Sequence, residues 1–182
     1  MRITAASALR DVVRVVSRAL ASHGIRAVLT GGASATIHSQ GDYLSLDLDY
    51  VIESRATQKQ LVAAMATAGF ERSADRYVHP KSSFFVEFPR GPLAIGDDDL
   101  VSPVEVRLGG TRVLTLSATD ACRDRLAAFY HWNDRQSLET ALKIARRRRV
   151  NMAMIRRWSD REGKTRQFDE FARALRTSRR QH

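Results

Sequence analysis

The sequence predicts an α+β fold, a mixed sheet with flanking helices followed by a C-terminal helical bundle, and three observations carry that prediction. Short β-rich runs alternate with segments of helical period from Ser7 to Phe88. Val104 to Leu108 and Arg112 to Leu116 are further β-rich runs joined through Gly109-Gly110, a hairpin signal that completes the sheet. After Ser117 helical patterns dominate, and no proline interrupts the chain beyond Pro103. The expected division is an α/β core over residues 1–116 and a basic helical region over residues 117–182.

In chain order, Leu9, Val12, Val13, Val16, Ala19 and Leu20 recur at helical spacing between Ser7 and His23, and Gly24 is the stop signal. Ile25 to Thr30 reads as a buried strand that delivers the chain to Gly31 and Gly32, with a short helix from Ala33 to His38 behind them. A polar loop, Ser39 to Leu44, leads to a strand from Leu46 to Ile52. Thr57 caps a helix over Gln58 to Ala68 that Gly69 closes. Tyr77-Val78 and Phe84 to Phe88 read as strands separated by a turn over Pro80 to Ser83.

Pro89 to Asp99 reads as a loop. Its three consecutive acids, Asp97, Asp98 and Asp99, cannot all converge on one ion and are expected in solvent. Helices are expected over Asp120 to Tyr130 and Arg135 to Arg149, then near Met152 to Trp158 and Phe168 to Leu175. There is no internal repeat.

The chain has 182 residues, 43% of them hydrophobic, enough for a real core. Its formal charge of +10 and pI near 10.7 favour an acidic partner such as RNA, DNA or a nucleotide, although a solvated basic face has the same composition. A lone cysteine, Cys122, excludes an intramolecular disulfide and a Cys-rich zinc site, and fits a reducing cytoplasm. No apolar run approaches the roughly 20 residues of a membrane span, and the charged Arg2, Arg10 and Asp11 argue against a secretion signal. The expectation is a cytoplasmic protein with no membrane partner.

The chemistry concentrates in Thr30-Gly31-Gly32 and in Asp47-Leu48-Asp49. Residues two apart in a strand share a face, so Asp47 and Asp49 project together while Leu48 enters the core. Like charges held that close repel, and become tolerable with a divalent cation between them; hard oxygen ligands and substrate phosphates suit Mg²⁺. Gly31 and Gly32, lacking Cβ atoms, let backbone amides approach phosphate oxygens at a helix N-terminus. Glu87 interrupts an apolar strand, and is therefore either solvated or joined to the metal pair. Glu105, in Val104-Glu105-Val106, is its rival, and Glu87 fits better because it continues directly from the preceding turn. His38 and Tyr43 are each open to two readings, contact with a base or phosphate and simple packing.

These residues resemble the nucleotidyltransferase superfamily, whose signature is a Gly-Gly or Gly-Ser turn, an Asp-x-Asp strand and a third carboxylate on a later strand. Within it the sequence is most similar to the AbiEii-type nucleotidyltransferase toxins of bacterial toxin-antitoxin and phage-defence systems. Gly31 and Gly32 match the turn, Ser45 the position two before the first aspartate, and Asp47 and Asp49 the metal pair. Glu87 corresponds to the third carboxylate. Tyr43 departs from the pattern, standing where those toxins usually carry arginine. Ser117 to Ala128 resembles their third motif, with Asp120 at the acid and Arg125 where lysine is usual. Asp134 matches the first aspartate of the fourth motif, and Ser137 replaces the second.

The resemblance implies an NTP substrate and Mg²⁺ held by Asp47, Asp49 and Glu87, with Gly31, Gly32 and Ser34 positioning the phosphates. Ser45 and Asp120 would assist nucleotide binding, and Arg125 would neutralise charge on departing pyrophosphate. It further implies an RNA acceptor such as tRNA, and a cognate antitoxin protein. The arginine-rich stretch from Arg146 to Arg180 is consistent with a surface for a phosphodiester backbone.

Overall fold

The computed structural model describes residues 2–179; Arg180 and the side chain of Arg179, both in the arginine-rich tail, lie outside the described residues. Seven helices and seven strands follow one another among them: α1 (Leu9–Ser22), β1 (Ala27–Leu29), α2 (Gly31–His38), β2 (Asp47–Ile52), α3 (Gln58–Thr67), β3 (Glu71–Ser73), β4 (Arg76–His79), β5 (Ser82–Glu87), β6 (Val104–Leu108), β7 (Thr111–Thr115), α4 (Ala118–Trp132), α5 (Arg135–Arg147), α6 (Met152–Arg161) and α7 (Thr165–Arg179). The strands form one mixed sheet in the order β3-β4-β5-β2-β1-β7-β6. β2 runs parallel to β5 and β1 parallel to β7, and the remaining pairs are antiparallel. This is the α+β class that the sequence predicts.

The chain divides into two compact units. The first, Met1–Ser34, Leu44–Leu93 and Ser102–Leu116, holds the whole sheet with α1 and α3. Val12, Val13 and Val16 of α1 are fully buried, as are Val28 and Leu29 of β1, Leu48 of β2, Val86 of β5 and Val113 of β7. Withdrawing each such side chain from water is worth about 1.5–3 kcal/mol, which makes this apolar layer the principal stabilising element. Tyr50, at 1% exposure, needs a partner for its hydroxyl and has one, Ser17 Oγ on α1 at 2.9 Å. Thr57 and Gln60 form a capping box at the start of α3.

The second unit, Ala35–Tyr43, Ala94–Val101 and Ser117–His182, is helical. Ser117, Asp134 and Asn151 each accept a backbone N–H at the start of α4, α5 and α6, caps worth about 1 kcal/mol apiece. Leu126, Phe129, Leu142, Ile144, Ile155, Trp158 and Phe171 fill its core. Of the chain's positive charge, the first unit carries 13 Lys/Arg against 8 Asp/Glu and the second 17 against 12, so each is +5. The two units share the excess equally, but within the second the arginine-rich stretch from residue 146 onward carries most of the positive charge, offset by the acids of its two inserted segments.

Four local features differ from the sequence reading. Gly31 and Gly32 belong to the first turn of α2 rather than preceding it. Ser82 and Ser83 pair within β5, and the turn before them shrinks to Pro80-Lys81. Glu71–Ser73 forms an unforeseen edge strand that turns through Ala74, a non-glycine residue at φ +56°. Asp98 is not solvated: it pairs with Arg123, a side chain only 1% exposed, and with Arg161 at 3.5 Å. Asp97 and Asp99 are exposed as expected.

Candidate active site

Within the first unit, β1, β2, β5 and the start of α2 bring the glycine turn and the carboxylates together. Thr30 donates its backbone N–H to Asp49 O at 2.9 Å and accepts from Ser34 N at 3.2 Å, so one residue links β2 to the first turn of α2. Gly31 sits at φ +58°, and a Cβ there would lie 2.3 Å from Asp49 Oδ2. The missing methyl is the space the carboxylate occupies. Negative charge at that position is stabilised by the partial positive charge of the α2 N-terminus.

The register between β2 and the parallel β5 sets Asp47 beside Phe85, Leu48 beside Val86 and Asp49 beside Glu87. Register partners share a face of the sheet, as do residues two apart on one strand. Asp47, Asp49 and Glu87 therefore project from one face, half-buried, while Leu48 and Val86 point to the other and are fully buried. Ser45, buried two residues before β2, donates its hydroxyl proton to Asp47 Oδ1. Glu105 lies elsewhere, exposed on the edge strand β6, three strands from β2 in sheet order, and paired with Arg112 at 3.6 Å.

Three carboxylates on one face are a hard oxygen donor set of the kind a small divalent cation selects. Their side chains do not converge in this conformation: among the described residues no group of three or more His, Cys, Asp or Glu is arranged to hold a metal ion. A shared face becomes a shared ligand set through rotation about χ1 and χ2 between ordinary staggered wells. The donor chemistry and the backbone register fit such an ion, and the observed rotamers do not yet enclose one.

Ser34 is placed differently from the glycines. It is fully buried, and its Oγ is 2.9 Å from Thr115 Oγ1, which is itself 2.9 Å from Leu29 O. Thr115 Oγ1 is the donor in both contacts, and since a hydroxyl carries one proton the two acceptors, Leu29 O and Ser34 Oγ, share it. The chain of bonds ties α2 to β1 and β7. Thr115 shapes the turn from β7, and the sequence offered no signal for it because its partners, Leu29 and Ser34, are 86 and 81 residues away.

The two remaining candidates lie on α4 in the second unit. Asp120, 6% exposed, accepts from Ser117 Oγ at 2.6 Å and from Arg123 Nη1 at 2.9 Å, so both of its oxygens are engaged. Arg125 donates from Nε and Nη2 to Asp124 Oδ2 at 3.0 and 2.7 Å. Asp134 caps α5, accepting from Ser137 Oγ and from the backbone of Gln136 and Ser137. The Ser137 hydroxyl, with those amides and against the opposing effect of burial, holds the Asp134 carboxyl below its ordinary range.

A mixed sheet with a glycine turn delivered by β1 and a carboxylate strand beside it defines a nucleotidyltransferase-like fold. The chain is similar to an antigenic nucleotidyltransferase-like protein from Paracoccidioides brasiliensis, seen in a crystal structure, at 17% identity and a TM-score of 0.59, over 78% of this chain and 77% of that one. It is also similar to the antibiotic-resistance factor ANT(2'')-Ia, whose solution structure gives 12% identity and a TM-score of 0.54, over 95% of this chain and 97% of that one. No protein-family model and no curated protein sequence matches the chain. Among the described residues no helix is long and apolar enough to cross a membrane.

Proposed function

We propose that the protein is a metal-dependent nucleotidyltransferase whose metal-binding carboxylates are Asp47, Asp49 and Glu87. The observation that carries the reading is the pairing of Asp49 with Glu87 on the face shared by Asp47, next to a glycine that admits the Asp49 carboxylate. Mg²⁺ at that face would supply positive charge to the triphosphate and lower the pKa of an attacking hydroxyl. The chain's own residues then have separate tasks. Asp47, Asp49 and Glu87 supply oxygen ligands, and Ser45 fixes the orientation of Asp47 through its hydroxyl. Gly31 and Gly32 offer backbone N–H groups at the α2 N-terminus to phosphate oxygens. Ser34 positions that turn from within the core. Arg125 is assigned, on the motif resemblance, to phosphate charge, and Asp120 to orienting groups on α4.

The acceptor proposed is RNA, most specifically tRNA, in the manner of an AbiEii-type toxin with a cognate antitoxin. Support comes from the motif resemblance and from exposed arginines such as Arg148, Arg149, Arg157, Arg166, Arg173 and Arg176, which make no ion pair among the described residues. The cytoplasm is the corresponding compartment. A second reading, transfer to a small molecule of the antibiotic type, is favoured by the near full-length fold likeness to an antibiotic-resistance factor.

Each of the four labelled NTPs, offered with Mg²⁺ and total tRNA, tests the first reading. Labelled RNA is expected from the wild type and none from Asp49→Ala; equal labelling by both rules it out. Ionic strength separates the acceptors, because transfer to RNA falls steeply with salt and transfer to a small molecule does not.

A further inference from the structure

The geometry points to a two-fold homodimer formed edge to edge through β6, the last strand in the sheet order. Gly109 and Gly110 join β6 to β7 with φ of +49° and +82°, the type I′ turn in which the residue before the glycines bonds to the one after them. Leu108 therefore bonds to Thr111. Bonded and non-bonded pairs alternate along an antiparallel ladder, so Val106 and Val104 also turn their backbone groups toward β7. The N–H and C=O groups of Glu105 and Arg107 face outward, and among the described residues no backbone outside the ladder bonds to them.

The order Val104-Glu105-Val106-Arg107-Leu108 is self-complementary about Val106. Two copies laid antiparallel, with Val106 opposite itself, set Glu105 beside Arg107 of the partner subunit and Arg107 beside the partner's Glu105. These are the residues with outward backbone groups, so each charge pair also exchanges both of its backbone hydrogen bonds. On the opposite face Val104, exposed in one copy, meets the partner's Leu108, and the half-buried Val106 meets its own counterpart. A slip of one residue would set charged side chains against apolar ones, which fixes the register.

The charges on β6 are also unbalanced within one copy. Arg107 is the register partner of Arg112, a like charge directly opposite, and it makes no ion pair among the described residues. Glu105 reaches Arg112 only on the diagonal, at 3.6 Å. In the dimer the partner's Glu105 flanks Arg107 on its open side. The other edge of the sheet lacks this symmetry: two copies of Glu71-Arg72-Ser73 on β3, paired in the same way, would place Arg72 against itself. A five-residue strip gives a small interface, so the association belongs to the weak, concentration-dependent class. It uses none of Gly31, Asp47, Asp49 or Glu87, and stands independently of the transferase reading.

Sedimentation velocity of the whole protein, from micromolar to submillimolar concentration, tests it through a charge-swap cycle. The wild type is expected to pass from monomer to dimer and no further. Glu105→Arg and Arg107→Glu each set like charges against one another at both pairs, and should weaken self-association at least tenfold. Arg107→Glu also removes the clash with Arg112, so its monomer keeps a sound hairpin, and circular dichroism verifies the fold of both variants. Mixing the two variants should restore a dimer, because every substituted side chain then faces an opposite charge. Both substitutions on one chain should restore the homodimer for the same reason. A wild type that stays monomeric, unchanged self-association in either single variant, or no association in the mixture would each overturn the interface. Growth beyond a dimer would overturn its two-fold symmetry.

Discussion

Asp49 on β2 and Glu87 on β5 are register partners across a parallel strand pair, and Leu48 and Val86, the preceding pair, are fully buried on the reverse face. A one-residue slip of either strand would turn a carboxylate into that apolar layer. The hydrophobic pattern that stabilises the sheet thus also presents the acids together.

Gly31 and Gly24 separate the effect of backbone conformation from that of the missing Cβ. Both have positive φ, +58° and +70°, but a Cβ at Gly24 meets nothing within 4 Å while one at Gly31 collides with Asp49 Oδ2. Gly24→Ala should lower stability by about 1–2 kcal/mol in urea denaturation. Gly31→Ala should cost more and should also displace Asp49, lowering nucleotidyl transfer by roughly a hundredfold or more. Equal effects of the two substitutions on stability and activity would contradict this.

Ser34 and Thr115 should be energetically coupled. Ser34→Ala removes one of the two acceptors of the Thr115 hydroxyl, and Thr115→Val leaves the carbonyl of Leu29 without that donor, each costing about 1–3 kcal/mol. A double-mutant cycle should give an interaction energy of about 1 kcal/mol. Stability unchanged in Ser34→Ala, with activity lost, would instead place that hydroxyl on the substrate.

Arg123 holds two acids, Asp98 and Asp120, and stacks 5.0 Å from the centre of the Trp158 ring. Arg123→Met should destabilise by about 3–5 kcal/mol, since Asp120 loses its ion-pair partner and Asp98 keeps only the more distant Arg161. Burial pushes the Asp98 pKa up, but the Arg123 and Leu100 hydrogen bonds with the Arg123 and Arg161 charges outweigh it, and the net shift is downward. A depressed carboxyl contributes stability that is complete above its unfolded value, about 3.9, and is lost as pH falls through the folded one. Thermal unfolding followed from pH 5 downward should therefore fall more steeply for the wild type than for Asp98→Asn.

Ala74 occupies the left-handed region, φ +56°, in the turn between β3 and β4. Ala74→Gly should stabilise the fold by about 1 kcal/mol in chemical denaturation, since the relief of Cβ strain exceeds the entropy glycine adds to the unfolded chain.

These cases mark what the sequence could and could not reveal. β1, the glycines and β2 were legible because an apolar run, a turn and an alternating Asp-Leu-Asp are all local signals. The hairpin at Gly109-Gly110 was legible for the same reason, and both glycines have the positive φ that its tight turn needs. β3 was not, since Glu71, Arg72 and Ser73 are all exposed and carry no alternation, and its turn at Ala74 lacks a glycine. The pairing of Asp98 with Arg123 spans 25 residues, and that of Ser34 with Thr115 spans 81. Such partners are set by the tertiary fold, so an acidic loop reads as solvated and a serine after two glycines reads as facing a ligand. The choice between Glu87 and Glu105 likewise depended on strand order, which no local pattern encodes.

The most direct test of the central claim is electron paramagnetic resonance titration of Mn²⁺, a Mg²⁺ substitute, in the presence of a non-hydrolysable NTP, because it needs no knowledge of the acceptor. Bound Mn²⁺ is expected for the wild type and equally for Glu105→Gln, with affinity reduced roughly tenfold or more in Asp49→Asn and in Glu87→Gln. Wild-type affinity in Asp49→Asn or Glu87→Gln, or its loss in Glu105→Gln, would contradict the account.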